Sequence, residues 1–336
     1  MANLKTSYMG LALKNPVIAG ATTLTCQMET IRRLEEAGAA ALVTCSLFEE
    51  QVQLERFRMQ EELEMFDNLH PEMTDIFPEL EHAGPAEHLM WVRKTKESVG
   101  IPVIASLNCV NPETWVEYAK LAAETGVDGL ELNFYSTPND GGRPGAAIED
   151  QQVQVVKDVT SAVRIPVAAK LSVFYANPLH AVHRLAAAGA SGFVLFNRFF
   201  EPDIDADVET NTFVWNLSRP GDYQLPLRFV GLLYDQVHDL CASTGIFEGK
   251  DVAKLLLAGA DAVQVVSTLF RNGIDHLGTM LDDLERWMDA KGYETLDQVR
   301  GKLSHRRGKD PWSYTRAQYV RALMKPDPIE REYRVI

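Results

Sequence analysis

The sequence predicts a (β/α)₈ TIM barrel on three observations: a repeated helix–glycine–strand grammar, eight apolar strand-like runs, and enough length for one large core. Four segments share the grammar, EEAGAAALVTCS, AETGVDGLELN, AAAGASGFVLFN and LLAGADAVQVVST. In each, an amphipathic stretch ends at a glycine (Gly38, Gly126, Gly189, Gly259) and a buried apolar run follows within a residue or two. A glycine just past a last helical turn supplies the positive φ that closes a helix. Each segment is therefore a helix-to-strand junction. The runs NPVIAG, IPVIASL, IPVAAKL and HDLCAST lie between them, apolar without alternation and bounded mostly by Gly or Pro, as parallel strands covered on both faces require. Together they place strands at about 15–20, 40–45, 102–107, 128–133, 166–171, 191–196, 239–243 and 261–266.

Helical patterns follow most of these runs, for example METIRRLEEA, PETWVEYAKLAAE, EDQQVQVVKDVTSAV, PLHAVHRLAAA and KDVAKLLLA, so βα units alternate along most of the chain. An open doubly wound sheet would use the same alternation, but no GxGxxG follows the first strand to mark a dinucleotide fold. Within the 336 residues the barrel is expected over 1–290, with 291–336 as a C-terminal extension packed on its outside and ending in the helical stretch WSYTRAQYVRALM.

A formal charge of −14, with no segment where Lys and Arg cluster, argues against nucleic acid and anionic membrane as partners. The opening MANLKTSYMG has no apolar signal region and no window of roughly 18 uncharged apolar residues occurs, so a cytoplasmic protein is expected. Cys26, Cys45, Cys109 and Cys241 lie far apart without CxxC spacing, which predicts reduced thiols and no metal site.

Three strand-to-helix connections are long, 46–86, 134–149 and 197–223, and in a barrel all three fall on the catalytic face. The seventh strand runs into STGIFEG and the eighth into Ser267–Thr268. Turns of this composition present backbone N–H groups to an anion, and the ends of strands seven and eight are the habitual phosphate site of the fold. Ordinary turn chemistry or N-capping is the plainer alternative. Lys170 closes the fifth strand, delivering one amine to the catalytic face either as a cation beside developing negative charge, as a Schiff-base amine, or as a structural partner of a carboxylate. Asn108, Asn133 and Asn197 end or follow the third, fourth and sixth strands. With Asn139 they suit an amide-rich, pyrimidine-like ligand, since each amide both donates and accepts.

The stretches LKNPVIAGAT, ELNFYSTPN, IPVAAKL, FVLFN and STGIFEGKDVAKLLLAGADAVQVVSTLF, in this order over roughly residues 6–290, resemble the dihydroorotate dehydrogenase family, including the flavin-binding portion of dihydropyrimidine dehydrogenases. The resemblance implies FMN, with Gly20 and Ala21 along the flavin, Cys45, Ser46, Asn108 and Asn133 near it, and Thr244–Gly245 with Ser267–Thr268 on its phosphate. Lys170 would stabilise negative charge at the flavin's N1 and C2 carbonyl, and Asn133, Asn139 and Asn197 would grip flavin or substrate. The family base precedes the Pro of an LNxSCPN-like motif. Here the motif is LNFYSTPN, one residue longer, so Ser136 is the first candidate base and Thr137 the competitor, with a purely structural ST-turn as the third reading.

Two further departures bear on substrate. Cys45 stands where family members often carry a lysine facing flavin and a substrate carboxylate, and the acidic 46–86 loop lacks an MGLPN-like segment. Cys45 reads as a small buried hydrophobe or as a reactive thiol. The activity implied is a CH–CH oxidoreduction of dihydroorotate or a related dihydropyrimidine, in a homodimer with an electron-acceptor partner protein. A Schiff-base lyase using Lys170 on a phosphorylated substrate, and a flavin-binding subunit without dehydrogenase chemistry, are the alternatives.

Overall fold

The computed structural model describes residues 2–49, 85–135, 140–199, 201–213, 217–310 and 312–324. Eight parallel strands form the barrel: Val17–Ala19, Ala41–Val43, Val103–Asn108, Gly129–Asn133, Val167–Leu171, Gly192–Leu195, Leu240–Ser243 and Ala262–Val265. Each pairs with its sequence neighbours. The first pairs with the eighth (Val17↔Val263) and the second with the third (Leu42↔Val103), which closes the sheet on itself. Closure leaves no edge strand, the point on which an open sheet would have differed. The expected strands overlap all eight, within two residues at either end.

The junction glycines act as the pattern predicted. Gly189 shows how tightly: its φ is +106, and a Cβ there would sit 2.9 Å from Thr160 Oγ1. The helix it terminates, Pro178–Ala187, starts with proline at its first position and with the Asn177 side chain accepting the His180 N–H at 3.3 Å. Proline costs nothing at that position because its N–H has no helical partner, and the cap satisfies one of the orphan donors.

Side chains alternate across each strand, so the barrel has two cores. The outer layer, between strands and helices, holds Val17, Leu42, Leu130, Leu132, Ala169, Leu195 and Val263 against helix residues such as Ile31, Val156 and Leu256. Fully burying each such Val, Leu or Ile stabilises by roughly 1.5–3 kcal/mol. The inner layer holds Ile18, Val43, Ile104, Ala168, Val194, Cys241 and Ala262, one from each strand but the fourth, which contributes Gly129.

Two hairpins were not foreseen. Thr6–Tyr8 and Leu11–Leu13 pair antiparallel and insert Tyr8 and Met9 under the inner layer, where a Cβ on Gly192 would meet both. Pro202–Asp205 and Thr210–Phe213 form an exposed hairpin inside the third long connection. Past Gly292 the chain returns to the barrel, burying Leu296 and Val299 and pairing Arg300 with Asp261 at 3.1 Å. The terminal helix is Ala317–Leu323, shorter than the pattern suggested.

Candidate functional site

One residue pair further along each strand, the barrel interior turns polar. Lys170, Glu131 and Gln264 share the inward phase of Ala168, Gly129 and Ala262, and all three are buried. They close a triangle: Lys170 Nζ donates to Gln264 Oε1 at 3.0 Å and lies 3.4 Å from Glu131 Oε1, while Gln264 Nε2 donates to Glu131 Oε2 at 2.5 Å. Of the three readings of Lys170, this geometry fits an amine paired with a carboxylate. A Schiff-base lysine needs its lone pair free, which a buried ion pair opposes. Below the triangle, burial first and the Glu131 charge second push the Cys241 thiol well above its ordinary range, so it remains protonated.

Above it runs a chain of amides and hydroxyls from four strands and their ends. Asn197 Nδ2 donates to Asn133 Oδ1 at 2.6 Å, Asn133 Nδ2 reaches Ser46 Oγ at 3.4 Å, and Ser46 and Ser106 share a hydrogen bond of 2.7 Å. Asn133, Asn197 and Ser46 thus meet at one place. Asn108 joins them differently, donating its NH₂ to the backbone carbonyls of Asn133 (2.9 Å) and Tyr135 (3.4 Å), so it shapes the end of the fourth strand. Glu49 ties this rim together by accepting from the Val110 and Asn111 N–H groups at 2.7 and 3.0 Å. Burial pushes its carboxyl up, but those donors outweigh burial and hold it below the usual range. Ser136, Thr137 and Asn139 lie outside the described residues, as does most of the 46–86 loop.

The turns after strands seven and eight converge. Thr244 is a β-branched residue at φ +85, held by its hydroxyl donating to Phe196 O at 3.0 Å. Such an outlier persists only where its surroundings over-determine it. Gly245 follows at φ +74, where a Cβ would lie 2.5 Å from Tyr223 N. Ser218, buried in the connection after the sixth strand, bridges both turns: its N–H donates to Ser267 Oγ at 2.9 Å, its hydroxyl shares a 2.8 Å bond with Ser267, and Gly245 N–H donates to it at 3.1 Å. The N–H groups of Ile246, Ser267 and Thr268 find no acceptor among the described residues. The Thr268 hydroxyl is fully buried and accepts from Asn272 Nδ2 at 3.0 Å, so this residue offers the site only its N–H. Gly20 lies between this region and the triangle; a Cβ there would sit 2.9 Å from Val266 and 3.4 Å from Gln264 Oε1, and Ala21 beside it is half-buried.

One expectation is corrected. Cys26 and Cys45 are joined by a disulfide, with Cα atoms 5.6 Å apart. The first two strands are neighbours (Ile18↔Ala41), so residues 19 apart in sequence meet just past their C-terminal ends. CxxC spacing was the wrong test, because a barrel brings strand ends together at any spacing. Cys109 and Cys241 are buried.

Turns with uncommitted N–H groups, a buried amine and a cluster of amides thus lie at the C-terminal face of the barrel. The family model described as dihydroorotate dehydrogenase matches residues 81–288. A protein of Aeropyrum pernix assigned as dihydroorotate dehydrogenase A (fumarate) is 30% identical over 311 residues, covering 90% of this chain and 98% of that one. The catalytic subunit of dihydroorotate dehydrogenase B (NAD(+)) from Thermoplasma volcanium is 27% identical over 307 residues (90% and 98%), and that from Methanocaldococcus jannaschii 27% over 315 (89% and 97%). The chain belongs to the dihydroorotate dehydrogenase family. It is accordingly an enzyme of the dehydrogenase class. Among the described residues, no helix is long and apolar enough to cross a membrane.

Glu131, Gln264, Ser106 and Ser218 were missed by reasoning from sequence. The first two carry a signal that could have found them: once Asn133 and Lys170 face inward, a period of two puts Glu131 inward as well, and QVV offers Gln264 in the matching phase of the eighth strand. Ser218 carries none, since its place depends on the path of a long connection.

Proposed function

We propose that the chain is an FMN-dependent oxidoreductase acting on the CH–CH bond of dihydroorotate or a related dihydropyrimidine. The observation that supports it best is the alignment of three features on one face: N–H-rich turns at 244–246 and 267–268, the close-packed Gly20 backbone, and the Lys170 amine. Residues and group fit in three respects. The turns have uncommitted N–H donors for a phosphate. Gly20 and Gly245 pack against Val266 and Tyr223, where a Cβ would not fit, so both segments present bare backbone on this face. Lys170 sits under the fan of Asn133 and Asn197, where a ring carrying carbonyl and N–H groups would lie.

Bound there, FMN supplies a two-electron acceptor for hydride. The chain's own residues do the rest. Lys170, paired with Glu131, faces the ring where negative charge would collect, and Gln264 fixes the amine's direction. Asn133 and Asn197, locked to one another, present their remaining donors and acceptors to a cyclic amide. Ser136, or Thr137 in its place, takes the proton from the substrate carbon beside the carbonyl. Cys45, held in its disulfide where family members often place a lysine, gives a substrate carboxylate no cation, which favours uncharged dihydropyrimidines over dihydroorotate.

Cytoplasmic location, a homodimer and a separate electron-acceptor protein belong to the same reading, with residues 291–336 as an extension of the barrel. Anaerobic mixing with a panel of dihydropyrimidines tests it. Bleaching of the bound flavin by at least one of them is expected; a flavin that none bleaches favours a binding subunit without dehydrogenase chemistry.

A further inference from the structure

Cys26 ends the short 3-10 turn Thr23–Cys26 that follows the first strand, and Cys45 lies two residues past the second. Both are part-exposed, whereas Cys109 and Cys241 are buried. The bond between them joins two segments that flank the proposed flavin cup. On one side, Cys45 immediately precedes Ser46, whose hydroxyl meets Ser106 and Asn133. On the other, Cys26 Sγ lies 3.6 Å from the carbonyl oxygen of Thr22, two residues beyond Gly20.

A structural role is poorly served by this bond, because parallel pairing of the first two strands already holds the same chain ends together. Where cytoplasmic proteins carry a disulfide it is most often transient, catalytic or redox-sensing, and both sulfurs of this one are part-exposed. Resting on the reading that FMN fills the cup, we propose that Cys26–Cys45 is a second two-electron centre that takes electrons from the flavin and passes them to a disulfide-bearing acceptor.

The chemistry balances in two halves. Reduced flavin gives up two electrons and two protons and returns to the oxidised form; the S–S bond breaks and each sulfur takes one proton. One of the two cysteines, as thiolate, then attacks a sulfur of the acceptor disulfide, forming a mixed disulfide and releasing one acceptor thiol. The second cysteine attacks the first, restoring the Cys26–Cys45 bond and releasing the other acceptor thiol. Part-exposure of both sulfurs permits the exchange, which a buried pair would forbid.

Anaerobic reductive titration of the FMN-loaded protein tests this directly, with alkylation in denaturant and intact mass at each stage. Wild type is expected to take about four electrons per flavin, two for each centre, with two alkylatable cysteines before titration and four after. Cys26→Ser and Cys45→Ser should each take about two. Reduced wild type should reduce an aromatic disulfide probe at least about tenfold faster than either variant. Uptake of two electrons by wild type, with Cys26 and Cys45 still protected once the flavin is bleached, overturns the proposal in favour of a structural disulfide. Four alkylatable cysteines in the protein as isolated overturn it as well. A protein that binds no FMN fails earlier, at the spectrum, and takes the functional reading with it.

Discussion

The lower and upper halves of the barrel interior are built from the same strands and differ by a shift of two residues. Below, Ile18, Val43, Ile104, Ala168, Val194 and Ala262 pack on Tyr8 and Met9 with no hydrogen-bonding function among the first six. Above, Glu131, Lys170, Gln264, Ser106 and Asn133 fill the same columns with hydrogen bonds and one ion pair. The lower layer stabilises by burying area, and the upper layer exchanges that stability for a charged, directed surface. What separates them is tolerance: an apolar layer accommodates small changes, while a buried polar network fails when one member is left unpaired.

Substitutions can break this contrast. The largest effect is expected at the candidate base, where Ser136→Ala or Thr137→Ala should slow flavin reduction by about 100- to 10,000-fold, read by stopped-flow bleaching. Equal, unchanged rates in both variants would remove the base from this loop. Next, Lys170→Ala leaves Glu131 buried without its cation and should cost about 3–5 kcal/mol in urea unfolding, with FMN affinity lost alongside. Lys170→Met combined with Glu131→Leu should recover most of the stability and none of the flavin reduction, separating folding from function. Gly245→Ala, forced against Tyr223 N at a positive φ, should weaken FMN binding by about 10- to 100-fold, roughly 1.4–2.8 kcal/mol, measured by flavin fluorescence.

The lower half should respond differently. Ile104→Val is expected to cost about 0.5–1.5 kcal/mol and to leave FMN affinity unchanged. A subtler signal comes from Asp261 at the barrel's base, whose carboxyl burial raises to about 6 against the pull of Arg300. The folded form then holds a proton that the unfolded chain releases nearer 4, so this group's contribution to stability is present below that value and lost as pH rises through 6. Asp261→Asn should flatten that part of the stability-against-pH curve.

Much of the lower half was legible in the sequence because area burial leaves long, redundant patterns: apolar runs and junction glycines located all eight strands. The upper half was legible residue by residue only where a polar side chain interrupts an apolar strand, as Lys170 and Asn133 do. Glu131 and Gln264 interrupt theirs just as plainly but become meaningful only once the phase of the neighbouring strand is known. The Cys26–Cys45 bond and the Ser218 bridge were invisible, since both depend on where separate chain segments end in space. The Tyr8–Met9 plug was hidden for another reason: strands of three residues are too short to display a period.

The account rests on FMN occupying the upper half, and the cofactor content of the purified protein tests that most directly. One FMN per chain, released on denaturation, held more weakly by Gly245→Ala and lost in Lys170→Ala, is the expected result. A colourless protein that takes up no FMN when it is supplied in excess, though folded, would contradict it.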